Sequence, residues 1–327
     1  MPIREDSLGE VAVGIRRHEH FEAAVRHHVE SVLTWRCGLN GFNKVISSHA
    51  RQFIINSVLY LHFQARPDDP DEGPTYERLL KFCVDRGLCG PRVLRTVLML
   101  AEGSGRLTVE RGRFDRRLKI FRPTEKLLAQ ARQSAEHVLD CFDILLMERS
   151  PRPSSSSRDA LFRRMISVAG RRYFEEGVDL SEHYEDLLAL LRLDGGFATV
   201  LAVTDAQLRG LPLPPYKEIA ARFRFSASQS RKILKRAEEL GLATFSTGGR
   251  LADASGLVRT YQWAVAREFA LYAKYALGLG PYFEQPPAER RSIAKLEVID
   301  DPFGGSPIGG WDGADRRRVP RETDARS

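Results

Sequence analysis

No stretch of this 327-residue chain approaches the ~18 consecutive apolar residues that a membrane span needs. The opening residues, MPIREDSLGE, hold no apolar core of the kind a secretory leader carries, so no membrane partner is expected. Cysteine is scarce: Cys37, Cys83, Cys89 and Cys141 are too few to staple a chain of this length. That scarcity suits a reducing compartment, and a cytoplasmic location is the expectation. Phosphate loop, dinucleotide fingerprint, HExxH and nucleophile elbow are all missing. The carboxylates are scattered over helices, with no pair assignable to one face of a cleft. Neither an enzyme nor a cofactor is expected. His18, His20, His27 and His28 come nearest to a ligand cluster. On one helix, however, His20 and His27 stand two turns apart, near ~10 Å, and His18 and His20 fall on different faces. No metal site follows.

What is present describes an ordinary folded chain, 43% hydrophobic and long enough for about two domains. Its formal net charge of +7 favours a polyanionic partner. The excess is uneven. Pro74–Arg122 holds 12 Lys/Arg against 5 Asp/Glu, and Tyr216–Asp253 holds 8 against 4.

Those two basic regions also share a pattern 140 positions apart, with no gap introduced. Tyr76/Tyr216, Leu79/Ile219, Cys83/Phe223, Val93/Ile233, Leu94/Leu234, Val97/Ala237 and Leu100/Leu240 pair, as do Arg92/Lys232 and Arg95/Lys235. The apolar spacing is that of a short helix, a turn, and a second helix with one buried stripe. The basic pairs fall on the face left outside. A unit used twice points to a partner that presents one feature twice, as duplex DNA does.

Around these units the chain reads as mainly α with small β-hairpins (α+β). The first 15 residues look loosely ordered. Helices are expected over about His18–Trp35 and Asn43–Gln64, then the first repeated unit. A hairpin follows, Leu107–Val109 and Leu118–Phe121 around Gly112, and Pro123-Thr-Glu opens a long helix to about Met147. Ser150–Arg158 is Ser/Pro-rich and reads as a flexible linker. Helices near Ala160–Phe174, Ser181–Leu193 and Gly196–Leu208 precede the second unit, with Phe197 in the role of Phe53. A shorter hairpin, Ala243–Ser246 and Leu251 about Thr247–Arg250, and a helix over Val258–Leu277 complete it. The expected division is a helical arm (1–41), a first domain (42–149), the linker (150–158), a second domain (159–280) and a disordered tail (281–327). Helices before the linker and after the second hairpin are expected to pack together.

The stretch from Glu218 to Leu242, EIAARFRFSASQSRKILKRAEELGL, resembles the winged-helix DNA-binding domain of bacterial transcription regulators, in its GntR-type pattern. There a Ser or Thr caps a basic recognition helix that ends in a Leu-Gly-Leu step into the wing. The resemblance implies that Ser226, Ser228 and Arg231 reach DNA. The residues support it: Ser226 suits a helix N-cap, whose free N–H groups suit a phosphate. Ser228, Gln229, Arg231, Lys232 and Lys235 project outward, Arg231 fitted to guanine O6 and N7 and the lysines to phosphates. One departure is Arg224, where the family usually places glycine. Arginine at positive φ is unfavourable, so a remodelled turn is expected. Arg250 stands at the second hairpin tip as a further DNA contact.

In the first unit Gly90-Pro91 makes a helix start, and Arg92, Arg95 and Thr96 share the exposed face. The hairpin carries Arg106, Arg111, Arg113, Arg116, Arg117, Lys119 and Arg122 against Glu110 and Asp115. A tip of that kind suits a minor groove or a phosphate backbone, and Arg111, Arg113 and Arg116 are its candidate contacts. The order of elements resembles the MarR-type winged helix. Cys83 is expected in the core, and Cys89 is weighed as a thiol sensor.

The expected function is sequence-specific binding of double-stranded DNA, to regulate transcription, with room for a small-molecule effector and for self-association. Two rivals stay open: a plasmid-type replication initiator and a winged-helix adaptor for protein assembly.

Overall fold

Helix α1 (Asp6–Arg16) stands where a loose N-terminus is expected. Leu8, Val11, Ala12 and Ile15 recur at helical spacing and are all buried, against the long helix α13 (Ser255–Tyr275). The partner lies some 250 positions away in the chain, which is why local periodicity undervalues the segment. Gly14 is part of this fit: a Cβ there would strike the Phe283 carbonyl of α14 (Gly280–Glu284). Residues 280–284, expected at the margin of a disordered tail, are thus helical, with Phe283 buried. The computed structural model describes residues 6–66, 68–147, 155–178, 180 and 184–285, all within one compact unit of residues 1–296. Beyond 285 the expected tail lies outside the described residues.

The chain continues through α2 (Phe21–Gly38), a 3-10 turn, α3 (His49–Gln64), α4 (Tyr76–Asp85) and α5 (Pro91–Gly103). Strands β1 (Leu107–Arg111) and β2 (Lys119–Pro123) form an antiparallel hairpin, Leu107 opposite Pro123 and Arg111 opposite Lys119. Thr75 bridges Ile120, and the Phe121 N–H donates to the Pro74 carbonyl (2.9 Å), so the chain entering α4 braces the hairpin. Helix α6 (Glu125–Leu146) leads to α7 (Ser155–Arg164), a π-helical turn and α8 (Gly170–Phe174). The expected flexible linker is therefore helical from Ser155 onward, while 150–154 lie outside the described residues. Arg132–Asp159 (3.3 Å), Arg158–Glu136 (3.7 Å) and buried Phe162 lay α7 on its neighbours. Then come α9 (Glu185–Leu191), α10 (Gly196–Leu208), α11 (Tyr216–Phe223) and α12 (Ala227–Glu239). The second hairpin, β3 (Thr244–Phe245) and β4 (Leu251–Asp253), is shorter and irregular at Thr244/Phe245. The architecture is mainly helical with two small antiparallel hairpins, as expected.

Two hydrophobic cores organise it. One gathers α3, α4, α5, the first hairpin and Leu127 at the start of α6. The other joins α1, α2, the remainder of α6 and the elements from α7 to α14. Helix α6 thus serves both, and Phe142 meets Phe269 of α13 (ring centroids 5.5 Å apart). Arg36 of α2 is buried where the halves meet: it donates to Gln52 (2.9 Å) and lies over Phe197 (4.6 Å). Phe197 is therefore half-buried under a guanidinium, unlike Phe53, which sits deep against Tyr173 and Phe174. Ser47 and Arg51 of the first half hold Asp194 of the second (2.8 and 3.4 Å).

The gap-free register of the repeat does not survive in three dimensions. For α4 and α11 the offset of 140 holds, with Leu79/Ile219 and Cys83/Phe223 buried alike. Past the turn it becomes 136. N-cap Gly90 corresponds to Ser226, and the buried stripe Leu94, Val97, Leu98, Ala101 corresponds to Ser230, Ile233, Leu234, Ala237. The left-handed glycines that end the helices, Gly105 (φ 70°) and Gly241 (φ 69°), share that offset. Val93 and Leu100, expected in the core, are each 39% exposed. A shift of four residues is one helical turn, so it preserves the periodicity and hides in the sequence.

Candidate nucleic-acid interface

Helix α12 starts at a complete capping box. Ser226 Oγ accepts the Gln229 N–H (3.2 Å), while Gln229 Oε1 accepts the Ser226 N–H (3.3 Å). Gln229, expected to project outward, folds back instead, because its amide satisfies an otherwise orphaned donor at the helix start. Ser228 Oγ lies 2.9 Å from Ser226 Oγ. The buried stripe fastens the helix, leaving Ser228, Arg231, Lys232, Lys235, Arg236 and Glu239 exposed on the opposite side.

Those residues floor a groove of about 660 Å³, walled on one side by Ala189 of α9 and by Leu193. Arg236 is paired with Glu239 (2.9 Å). Among the described residues no ion pair engages Arg231, Lys232 or Lys235, so their charge is available to an anion entering the groove. Arg236 was missed in the sequence although the 3.6-residue period puts it on this face. The α9 wall had no sequence signal, since it is formed by a distant segment.

The turn before α12 keeps its left-handed residue. Arg224 adopts φ 59° and ψ 41°, and the Phe225 N–H closes the turn on the Ala220 carbonyl (3.1 Å). The expected remodelling does not occur. Arginine accepts an unfavourable conformation of order 1–2 kcal/mol, because Phe225 packs into the core beyond it. In the first unit the same geometry falls to Gly87 (φ 59°), with Leu88 donating to Cys83 (2.9 Å).

On α5, Arg92 and Arg95 are exposed as expected. Thr96 is half-buried and its hydroxyl donates to the Arg92 carbonyl (2.9 Å), so it is engaged within the helix. By the structural register Arg95 is the counterpart of Arg231, and exposed Met99 that of Lys235.

Arg111, Arg113, Arg116, Arg117 and Lys119 are exposed on the first hairpin, and Arg250 on the second. Two hairpin arginines leave the set. Arg106 is buried over Phe42 (3.9 Å) and donates to Gln130 (2.9 Å). Arg122 turns to the loop before α4, donating to the Glu72 and Pro70 carbonyls (3.1 and 2.7 Å) and to Glu110 (3.1 Å). From that loop the Asp71 carboxylate accepts the backbone N–H groups of Arg113, Phe114 (2.9 Å) and Asp115 (3.1 Å). No sequence signal ties residues 42 to 44 positions apart in this way.

Cys83 is buried as expected. Both thiols are free, and a hydrogen bond from Cys83 holds the Cys89 thiol below its ordinary value, while the same hydrogen bond and burial push Cys83 up. His18 and His20, expected on different faces, meet with ring centroids 5.5 Å apart, because α2 begins only at Phe21. Among the described residues, no group of three or more His, Cys, Asp or Glu is placed to hold a metal ion. No single helix among them is long and apolar enough to cross a membrane. Comparison with protein-family models, with curated proteins and with solved structures returned no match.

Proposed function

We propose that this chain binds double-stranded DNA through two winged-helix units and regulates transcription. The observation that carries the reading is the outward face of α12: Ser228, Arg231, Lys232 and Lys235 together floor one open groove, fixed by a capped and buried helix. A cationic helix face at that position suits a major groove, with Arg231 toward base edges and the lysines toward phosphates. Arg92 and Arg95 make the corresponding contribution from α5, while Arg111, Arg113 and Arg116 follow the backbone beside it. Because the two readers differ in sequence, the preferred site is an asymmetric repeat. The Pro74–Thr75 segment against β2 supports the winged-helix reading, since it extends the hairpin toward a three-stranded wing base.

Selection of bound fragments from a random duplex pool tests this directly. The expected result is an enriched site with two unlike halves about one helical turn, ~34 Å, apart, and affinity that falls steeply with salt. No enrichment, together with salt-insensitive binding, overturns the reading. A protein-assembly adaptor is favoured by one observation, the exposed Val93, Met99 and Leu100 on α5. Under that alternative, Lys232→Glu with Lys235→Glu leaves the partner contact intact and duplex binding is never specific.

A further inference from the structure

The tip of the first hairpin is a concave turn whose backbone N–H groups converge on one carboxylate. Asp71 receives the amides of Arg113, Phe114 and Asp115. Such a nest is built to hold an anion, and here the chain supplies its own. The fit is close on both sides. A Cβ on Gly112 would run into the Asp115 carbonyl and lie 2.9 Å from Asp71 Oδ2, while one on Gly73 would lie 2.9 Å from an Arg122 guanidinium nitrogen.

The loop that delivers Asp71 is itself braced. Arg66 holds Asp69 (3.1 Å) and Glu72 (3.0 Å), and the Asp71 N–H donates to Asp69 (3.0 Å). Arg122 reaches back from β2 to two carbonyls of the loop. Loss of water raises the Asp71 carboxyl, but the three amides and the Arg122 charge outweigh it and hold the group below the usual carboxylate range. An acid beside five exposed cations would repel a phosphate backbone if it faced solvent. Directed into the amides, it does structural work on the tip instead, and the arginine side chains are left facing outward.

Resting on the DNA-binding reading above, we propose that Asp71 is a positioning residue: through the three tip amides it holds the first wing in the shape that presents Arg111, Arg113 and Arg116 to phosphates. Fixing the tip before binding removes ordering that would otherwise oppose association.

The test is Asp71→Ala in the full chain, titrated with KCl against a mixed-sequence duplex of about three helical turns. Expected are binding about tenfold weaker near ~0.1 M salt and a salt slope flatter by about two, since each lost phosphate contact is worth ~0.9. Faster hydrogen exchange at the amides of 113–115 accompanies it. A wild-type slope and affinity overturn the proposal, and so does tighter binding, which would make Asp71 a competitor of phosphate. If Asp71→Ala fails to fold, Asp71→Asn, with one accepting oxygen and no charge, is expected midway; a wild-type slope there overturns the proposal equally. If the wild-type chain shows no salt-dependent duplex binding, the DNA reading falls and takes this one with it. Lost amide protection in the variant would then identify a clamp that serves only the fold.

Discussion

The two repeated units share a backbone plan and divide their charge in opposite ways. In the second, α12 carries Arg231, Lys232, Lys235 and Arg236 on its open face, and the hairpin offers Arg250 at a short tip. In the first, α5 offers Arg92 and Arg95 and then turns apolar at Met99 and Leu100, while the hairpin carries five exposed cations. The tips differ to match. The long basic tip is clamped by Asp71, whereas the second closes as a tight turn, with Ser246 and Arg250 bonded across it (2.8 Å). On the DNA-binding reading one unit is weighted toward base edges and the other toward the backbone. A long cationic hairpin needs outside bracing because its own strands pair over only five residues. A two- or three-residue pair of strands carries little charge to steady.

The largest effects test the register that relates the units. Leu98→Ala and Ile233→Ala each remove a buried side chain and are expected to cost about 2–5 kcal/mol in denaturant unfolding. Glu238→Ala and Val93→Ala, their partners in the gap-free register, are expected to cost under about 1 kcal/mol. A larger loss at Val93 than at Leu98 would restore the gap-free alignment and rule out the offset of 136.

Next in size is the division between base and backbone contacts. Arg231→Ala is expected to lose about 1–3 kcal/mol at one base-pair position and to relax preference there. Arg113→Ala should weaken all duplexes evenly and flatten the salt slope by about 1. Competition binding with single-position variants of the selected site measures both. Equal behaviour of the two substitutions removes the contrast, and no effect from either removes the site assignment.

The smallest effects lie in the two turns. Arg224→Gly relieves a left-handed arginine and is expected to stabilise the fold by about 1 kcal/mol, while Gly87→Ala costs about the same in the first unit. A Cβ on Gly87 meets no atom within 4 Å, so that substitution isolates the backbone penalty. Thermal midpoints that move in the same direction for both would show that the turns are not equivalent.

Most elements were legible because their signals are local. The α5 and α12 starts follow from Gly90-Pro91 and Ser226, and α10 begins and ends where the apolar run from Gly196 to Leu208 does. The sequence carries no signal where the deciding partner is remote. Helix α1 depends on α13, the helical start of α7 on Arg132 and Glu136, and the roles of Arg106 and Arg122 on Phe42 and on the loop before α4. Gln229 is a local case instead. Its capping partner is only three residues away, and the Ser-x-x-Gln spacing announces the box.

Periodicity and end signals in the chain were sufficient to specify the hairpins, the outward side of α12 and the helices whose deciding neighbours lie within a turn or two, which leaves out α1 and the start of α7. They could not choose between offsets of 140 and 136, because a slip of one helical turn leaves every apolar interval unchanged. That choice came from packing, which buries Leu98 and Ser230 and leaves Val93 at the surface. Packing likewise separated the arginines that face solvent from those that hold the fold together, because a guanidinium's surroundings are set by whichever distant segment lies beside it.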